Sequence, residues 1–177
     1  DAGSYVCAAS NSLGSTNSDP VTVTVTNVPV ISTPNATINA NENQQVTLTC
    51  QVTPLNSLTD LYWTKDGQRL STTNAAKYSG GTSAVPSLTI YSLSPSDGGA
   101  YVCVATNQFG TTPSGNVTLN LQYVPRLTVT NATVTSSPGD TIILTCNVNA
   151  NPNITSFSWT KSGVTISSSS NPTKYSG

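Results

Sequence analysis

Asp97-Gly98-Gly99-Ala100-Tyr101-Val102-Cys103-Val104-Ala105-Thr106-Asn107 decides the fold, because the chain opens on a near copy, Asp1-Ala2-Gly3-Ser4-Tyr5-Val6-Cys7-Ala8-Ala9-Ser10-Asn11. The two stretches stand 96 positions apart, and the same step carries Pro29 to Pro125, Cys50 to Cys146 and Trp63 to Trp159. A step of that length, held without a gap, marks a domain-sized unit copied in line and not a short solenoid repeat. Laid on this register, residues 1–27 are the C-terminal fragment of one unit, 28–123 a complete unit, and 124–177 the N-terminal fragment of a third. Lys174-Tyr175-Ser176-Gly177 repeats Lys77-Tyr78-Ser79-Gly80 with one residue extra.

Between turn signals the apolar residues alternate with period two, which places one face of each segment against a core. Val46-Thr47-Leu48-Thr49-Cys50 sends Val46, Leu48 and Cys50 inward, and Leu88 and Ile90 do the same around Thr89. Tyr101, Cys103 and Ala105 share a buried face, as do Val117, Leu119 and Leu121, and the first fragment repeats that last pattern at Val21, Val23 and Val25. Turn residues fall where the chain must reverse, at Asp66-Gly67, at Ser96-Asp97-Gly98-Gly99, and at Asn107-Gln108-Phe109-Gly110 with its copy Asn11-Ser12-Leu13-Gly14. No stretch carries a helical apolar stripe. The chain is all-β.

Cys50, Trp63 thirteen residues later, then Asp97-x-Gly-x-Tyr101-x-Cys103 and Ala105-x-Asn107-x-x-Gly110 together resemble the immunoglobulin superfamily. The short middle between Trp63 and Leu88 resembles its intermediate, or I-set, type, found in hemicentin-like and adhesion-molecule-like extracellular arrays. The resemblance covers the whole chain and implies tandem Greek-key β-sandwiches. It implies a Cys50–Cys103 bond between two sheets, Trp63 and Tyr101 in the core with Leu48, Leu88 and Ile90, and equivalent core places for Tyr5 and Trp159. Family members often pair an arginine with the aspartate at the turn before the tyrosine strand; here Arg69 and Lys77 are both candidates for Asp97. By the repeat, Cys7 wants an upstream partner and Cys146 a downstream one. An alternative joins Cys146 of one copy to Cys7 of the next, against which stands the lack of a counterpart to residues 81–96 with their core strand.

Composition narrows the function. Charged residues are 7% of the chain and the net charge is −1, so there is no basic face for nucleic acid and no polybasic stretch for a membrane surface. Polarity comes from serine and threonine, about three residues in ten, with abundant asparagine. Histidine is absent, which removes the commonest general base and metal ligand, and no Cys-x-x-Cys spacing suggests zinc. Asp60 and Asp66 read as ordinary turn carboxylates. No cofactor, metal site or catalytic group is expected, and the chain does not read as an enzyme.

Four sequons fit the N-glycosylation pattern, at Asn35, Asn116, Asn131 and Asn153, while Asn171-Pro172-Thr173 is excluded by its proline. Asn35 and Asn131 occupy the same place in successive units. Sequons and paired cysteines together place the chain outside the cell, with sugars attached covalently. Alternation points Val102 and Val104 outward beside Tyr62, a face that in this family often meets partners. Junctions are tight: Val25-Thr26-Asn27-Val28-Pro29 and Leu121-Gln122-Tyr123-Val124-Pro125 pass from one unit into the next with no Gly/Ser spacer. The expectation is a structural or adhesive segment of a secreted, glycosylated rod or fibre, engaging protein partners or itself. The alternative is the ectodomain of a cell-surface receptor or adhesion molecule.

Overall fold

A computed structural model describes residues 1–25 and 27–166. Asn171 and the Lys174–Gly177 repeat lie outside the described residues. The first unit supplies β1 (Gly3–Tyr5), β2 (Ala8–Asn11), β3 (Gly14–Asn17) and β4 (Val21–Val23). The middle unit runs β5 (Val30–Ser32), β6 (Thr37–Asn41), β7 (Val46–Leu48), β8 (Gln51–Thr53), β9 (Leu58–Lys65), β10 (Gln68–Arg69), β11 (Tyr78–Gly80), β12 (Leu88–Ile90), β13 (Gly99–Asn107) and β14 (Gly110–Pro113). β15 (Val117–Val129) leaves the middle unit for the third, which adds β16 (Cys146–Asn151), β17 (Trp159–Lys161) and β18 (Val164–Ile166). Helical structure among the described residues is limited to two 3-10 turns, Leu55–Ser57 and Pro95–Asp97.

Two layers make the middle unit. One is β11-β12-β7, with β8 continuing β7 after Cys50 and taking β5 as its partner. The other is β10-β9-β13-β15, with β14 also on β13 and β6 on the outer side of β15. Every pairing is antiparallel except β6 on β15. The cause of that layering is the alternation itself: each strand has one apolar face to hide, and two such faces hide each other. Leu48, Trp63, Leu88, Ile90, Tyr101 and Cys103 are buried between the layers, with Val117, Leu119 and Leu121 from β15 closing the core. The Cys50–Cys103 disulfide spans the layers with a Cα–Cα distance of 6.4 Å. The Trp63 indole N–H, which burial would otherwise orphan, donates to the Pro86 carbonyl at 2.9 Å.

The tyrosine before the second cysteine closes its corner locally. The Tyr101 hydroxyl donates to the Asp97 carbonyl at 2.6 Å, and in the first unit Tyr5 donates to the Asp1 carbonyl at 3.1 Å. Other bonds repeat in the same way. Cys103 N–H donates to Ser114 Oγ and Cys7 N–H to Ser18 Oγ, both at 3.0 Å, so a serine clamps the break where each hairpin passes into the next strand. Asn107 Oδ1 accepts from the N–H groups of Phe109 and Gly110, and Asn11 Oδ1 from those of Leu13 and Gly14. Short side chains thus hold the hairpin turns without help from a core.

Two expected core residues are corrected. Tyr5 is 51% exposed and Trp159 only half-buried. Their strands have in-plane neighbours, β4 for β1 and β18 for β17, but among the described residues no second layer lies over them. Burial needs a facing sheet, and among the described residues only the middle unit has one. Cys7 is exposed, Cys146 half-buried, and both are free thiols here.

The ion pair left open between two cations resolves to Lys77. Its Nζ lies 2.6 Å from Asp97 Oδ2 and also donates to the carbonyls of Tyr91 and Ser92. Asp97 further accepts from Ser94 N–H and Oγ, capping the turn that leads into β13. Burial, the largest influence on Asp97, pushes its pKa up, yet the bonds from Lys77 and Ser94 outweigh it and hold the carboxyl below its ordinary 3.8.

Candidate interaction face and glycan acceptors

The outward face of β9 and β13 is the expected meeting place for a partner. Register puts Tyr62 opposite Val104, Thr64 opposite Val102, and Asp60 opposite Thr106. With Trp63 fully buried, its neighbour Tyr62 points away from the core. Tyr62 and Val102 are half-buried, but Val104 is a correction: it is only 8% exposed. β13 is a central strand, and Val104 is flanked by Tyr62 on one side and Pro113 of β14 on the other, so little of it reaches solvent.

Arg69 belongs to this face and was not foreseen there. Its guanidinium stands 4.0 Å from the Tyr62 ring centroid and 3.2 Å from Asp60 Oδ2. The signal was present in sequence: Asp60 and Tyr62 share a strand face, and the Asp66-Gly67 turn folds Arg69 back opposite Thr64. The face therefore offers a stacked cation, a phenol and a carboxylate, with no bare apolar patch. Asp60 and Asp66 do not come together. Asp66 receives Lys65 Nζ at 2.5 Å and the Ala100 N–H at 2.9 Å, and those bonds lower its pKa.

The junction into the third unit is a built structure. β15 pairs with β13 and β6 in the middle unit, then with β16 in the next. Its register slips between Tyr123 and Arg126, where Pro125 has no N–H to give the ladder. Side chains bolt the crossing. Asn151 Nδ2 donates to the Leu121 carbonyl and to Asn120 Oδ1, and Asn120 Nδ2 donates in turn to Asn39 Oδ1. Tyr123 donates to Asn149 Oδ1 at 2.6 Å, and Arg126 pairs with Glu42. At the other junction Asn107 Nδ2 donates to the Asn27 carbonyl at 2.9 Å.

All four sequon asparagines, Asn35, Asn116, Asn131 and Asn153, are exposed and lie between strands. Asn153 borders an open groove at the second junction together with Glu42, Tyr123 and Pro152. Among the described residues no three histidine, cysteine, aspartate or glutamate side chains gather where a metal could be held, and no helix is long and apolar enough to cross a membrane.

A family model described as an immunoglobulin domain matches residues 28–107. Human hemicentin-1 is 32% identical over 173 residues, 96% of this chain and 3% of that protein. Mouse neural cell adhesion molecule 1 is 31% identical over 180 residues, 96% of this chain and 15% of that protein. Among solved structures, Drosophila OTK extracellular domains 3–5 superimpose with a TM-score of 0.50 at 28% identity, covering 69% of this chain and 40% of that one. The chain thus spans a small part of the curated relatives it matches.

Proposed function

Because this chain belongs to the immunoglobulin superfamily and carries its domains in tandem, we propose that it is a structural or adhesive segment of a secreted, glycosylated extracellular protein, arranged as a rod. The observation that carries this reading is β15, 13 residues that serve two units at once. A strand shared by two units and bonded on both sides of the crossing resists bending far better than a flexible linker. Adhesion is suggested by the name of the neural cell adhesion molecule, and an extracellular place by the OTK domains. Its work is contact and spacing, with no catalytic step and no cofactor. Weak net charge permits neighbouring rods to lie close.

Electron microscopy of the native material tests the reading. Filaments with a regular axial repeat, together with clustering of beads coated with the secreted chain, are expected. Isolated particles tethered to membrane, with no clustering, would shift the assignment to the second reading, a receptor ectodomain recognising a protein partner. That reading is favoured by Arg69 stacked on Tyr62 beside Asp60, since arginine and tyrosine dominate protein-binding hot spots.

A further inference from the structure

We propose that Asn35 and Asn116 form a twin acceptor whose N-linked sugars guard the open edge of the middle sandwich; the idea rests on the extracellular reading above. β6 is the edge in question. Among the described residues it pairs only with β15, so the N–H and C=O groups of Thr37 and Asn39 face outward without a strand partner, while those of Asn41 are taken by Gln44. Native proteins blunt such an edge with lysine, proline, a bulge or extreme shortness, because an open edge is a template for another strand. β6 reads Thr37-Ile38-Asn39-Ala40-Asn41: five residues, uncharged, without proline, and in regular register with β15. The other edges of the unit are shorter, two residues in β10, which carries Arg69, three in β5 and in β11, and four in β14, which ends on Pro113. Among the described edges of the unit, β6 is the longest, and amino acids guard it only at its far end, where Gln44 caps Asn41.

The parallel register supplies what the residues do not. Thr37 pairs with Thr118, and the Thr118 N–H donates to the Ala36 carbonyl at 2.8 Å. Each threonine is the third residue of a sequon, so Asn35-Ala36-Thr37 and Asn116-Val117-Thr118, far apart in sequence, become neighbours beside the start of the edge. Both asparagines and both threonines are exposed. In the modification, the asparagine amide nitrogen attacks the anomeric carbon of a lipid-diphosphate-linked oligosaccharide. The C–N bond forms, the lipid diphosphate leaves, and the amide gives up one proton. Two bulky hydrated glycans at one end of a short strand then exclude a second chain from the whole edge.

The test uses the full chain secreted from glycosylating cells, with glycopeptide mass spectrometry and light scattering. Sugar is expected at Asn35 and Asn116, and the N35Q/N116Q variant should self-associate at about tenfold lower concentration than wild type. An N131Q/N153Q variant should behave as wild type. Trimming folded wild-type glycans to a single sugar should also promote association, and this arm needs no substitution. Hydrogen exchange should show new protection at residues 37–41 in the associated material. Modified Asn35 and Asn116 with a double variant and trimmed protein as dispersed as wild type would overturn the edge-guard idea. So would sugar at Asn131 or Asn153 beside bare Asn35 and Asn116. Bare asparagine at all four sites would instead defeat the extracellular reading itself, and this proposal with it.

Discussion

At the scale of single residues, Asp97 shows how one buried carboxylate organises a turn. It receives Lys77 and two groups of Ser94, and the Tyr101 hydroxyl closes on its carbonyl. Replacing Lys77 by methionine leaves the buried Asp97 charge without its cation and should cost about 1–3 kcal/mol in chemical denaturation, whereas Arg69→Met should stay within about 0.5 kcal/mol. The pH dependence follows from the sign of the shifts. Asp97 titrates below its ordinary 3.8, so its contribution is complete above about pH 4 and drains away as pH falls through the lower folded value. Tyr101 is shifted the other way, first by burial and then by the nearby Asp97 charge, so its contribution is present below about pH 10 and is lost as pH rises towards the folded value. Thermal melts across both flanks should show both losses, and D97N should flatten the acid limb. Sequence narrowed the cation to two. The choice was tertiary, because Arg69 sits across a hairpin on the outer face while Lys77 enters β11 beside the turn.

At the scale of elements, the disulfide and the tight turn before β12 set the stability of the middle sandwich. Cys50 and Cys103 are 53 residues apart in the chain, and closing a loop of that size restrains the unfolded state by about 4 kcal/mol. Reduction, or a C50A/C103A variant, should therefore lower the denaturation midpoint sharply. Gly80 is required for a different reason. Its φ is +75°, and a Cβ there would come within 2.1 Å of the Ser87 carbonyl oxygen. Gly80→Ala should cost more than about 1 kcal/mol beyond Gly67→Ala, which shares the left-handed backbone (φ +82°) but where a Cβ meets nothing within 4 Å. Alternation gave the inward faces of β7, β12, β13 and β15, since period two is a property of each strand alone. It misjudged Val104, because exposure of an outward side chain depends on which strands stand on either side.

At the scale of the whole molecule, the joints decide mechanical character. The row Asn39–Asn120–Asn151, the Tyr123–Asn149 bond and the Arg126–Glu42 pair cross from the middle unit to the third. An N151A/R126A variant should keep the melting of the middle unit and broaden the distribution of angles at this joint. Small-angle scattering would register the change, and an unchanged profile would assign the stiffness to the β15 backbone alone.

The sequence by itself determined the class, the period and the local chemistry. Periodic side chains, a repeated cysteine–tryptophan–tyrosine pattern and self-capping turn residues carry their information within a few positions. Tertiary structure alone decided which cation meets Asp97, which outward valine is covered, that among the described residues no second layer lies over Tyr5 or Trp159, and that two distant sequons stand together. Each of those depends on the register or stacking of strands far apart in the chain, and no spacing along a single segment encodes which surfaces will face each other.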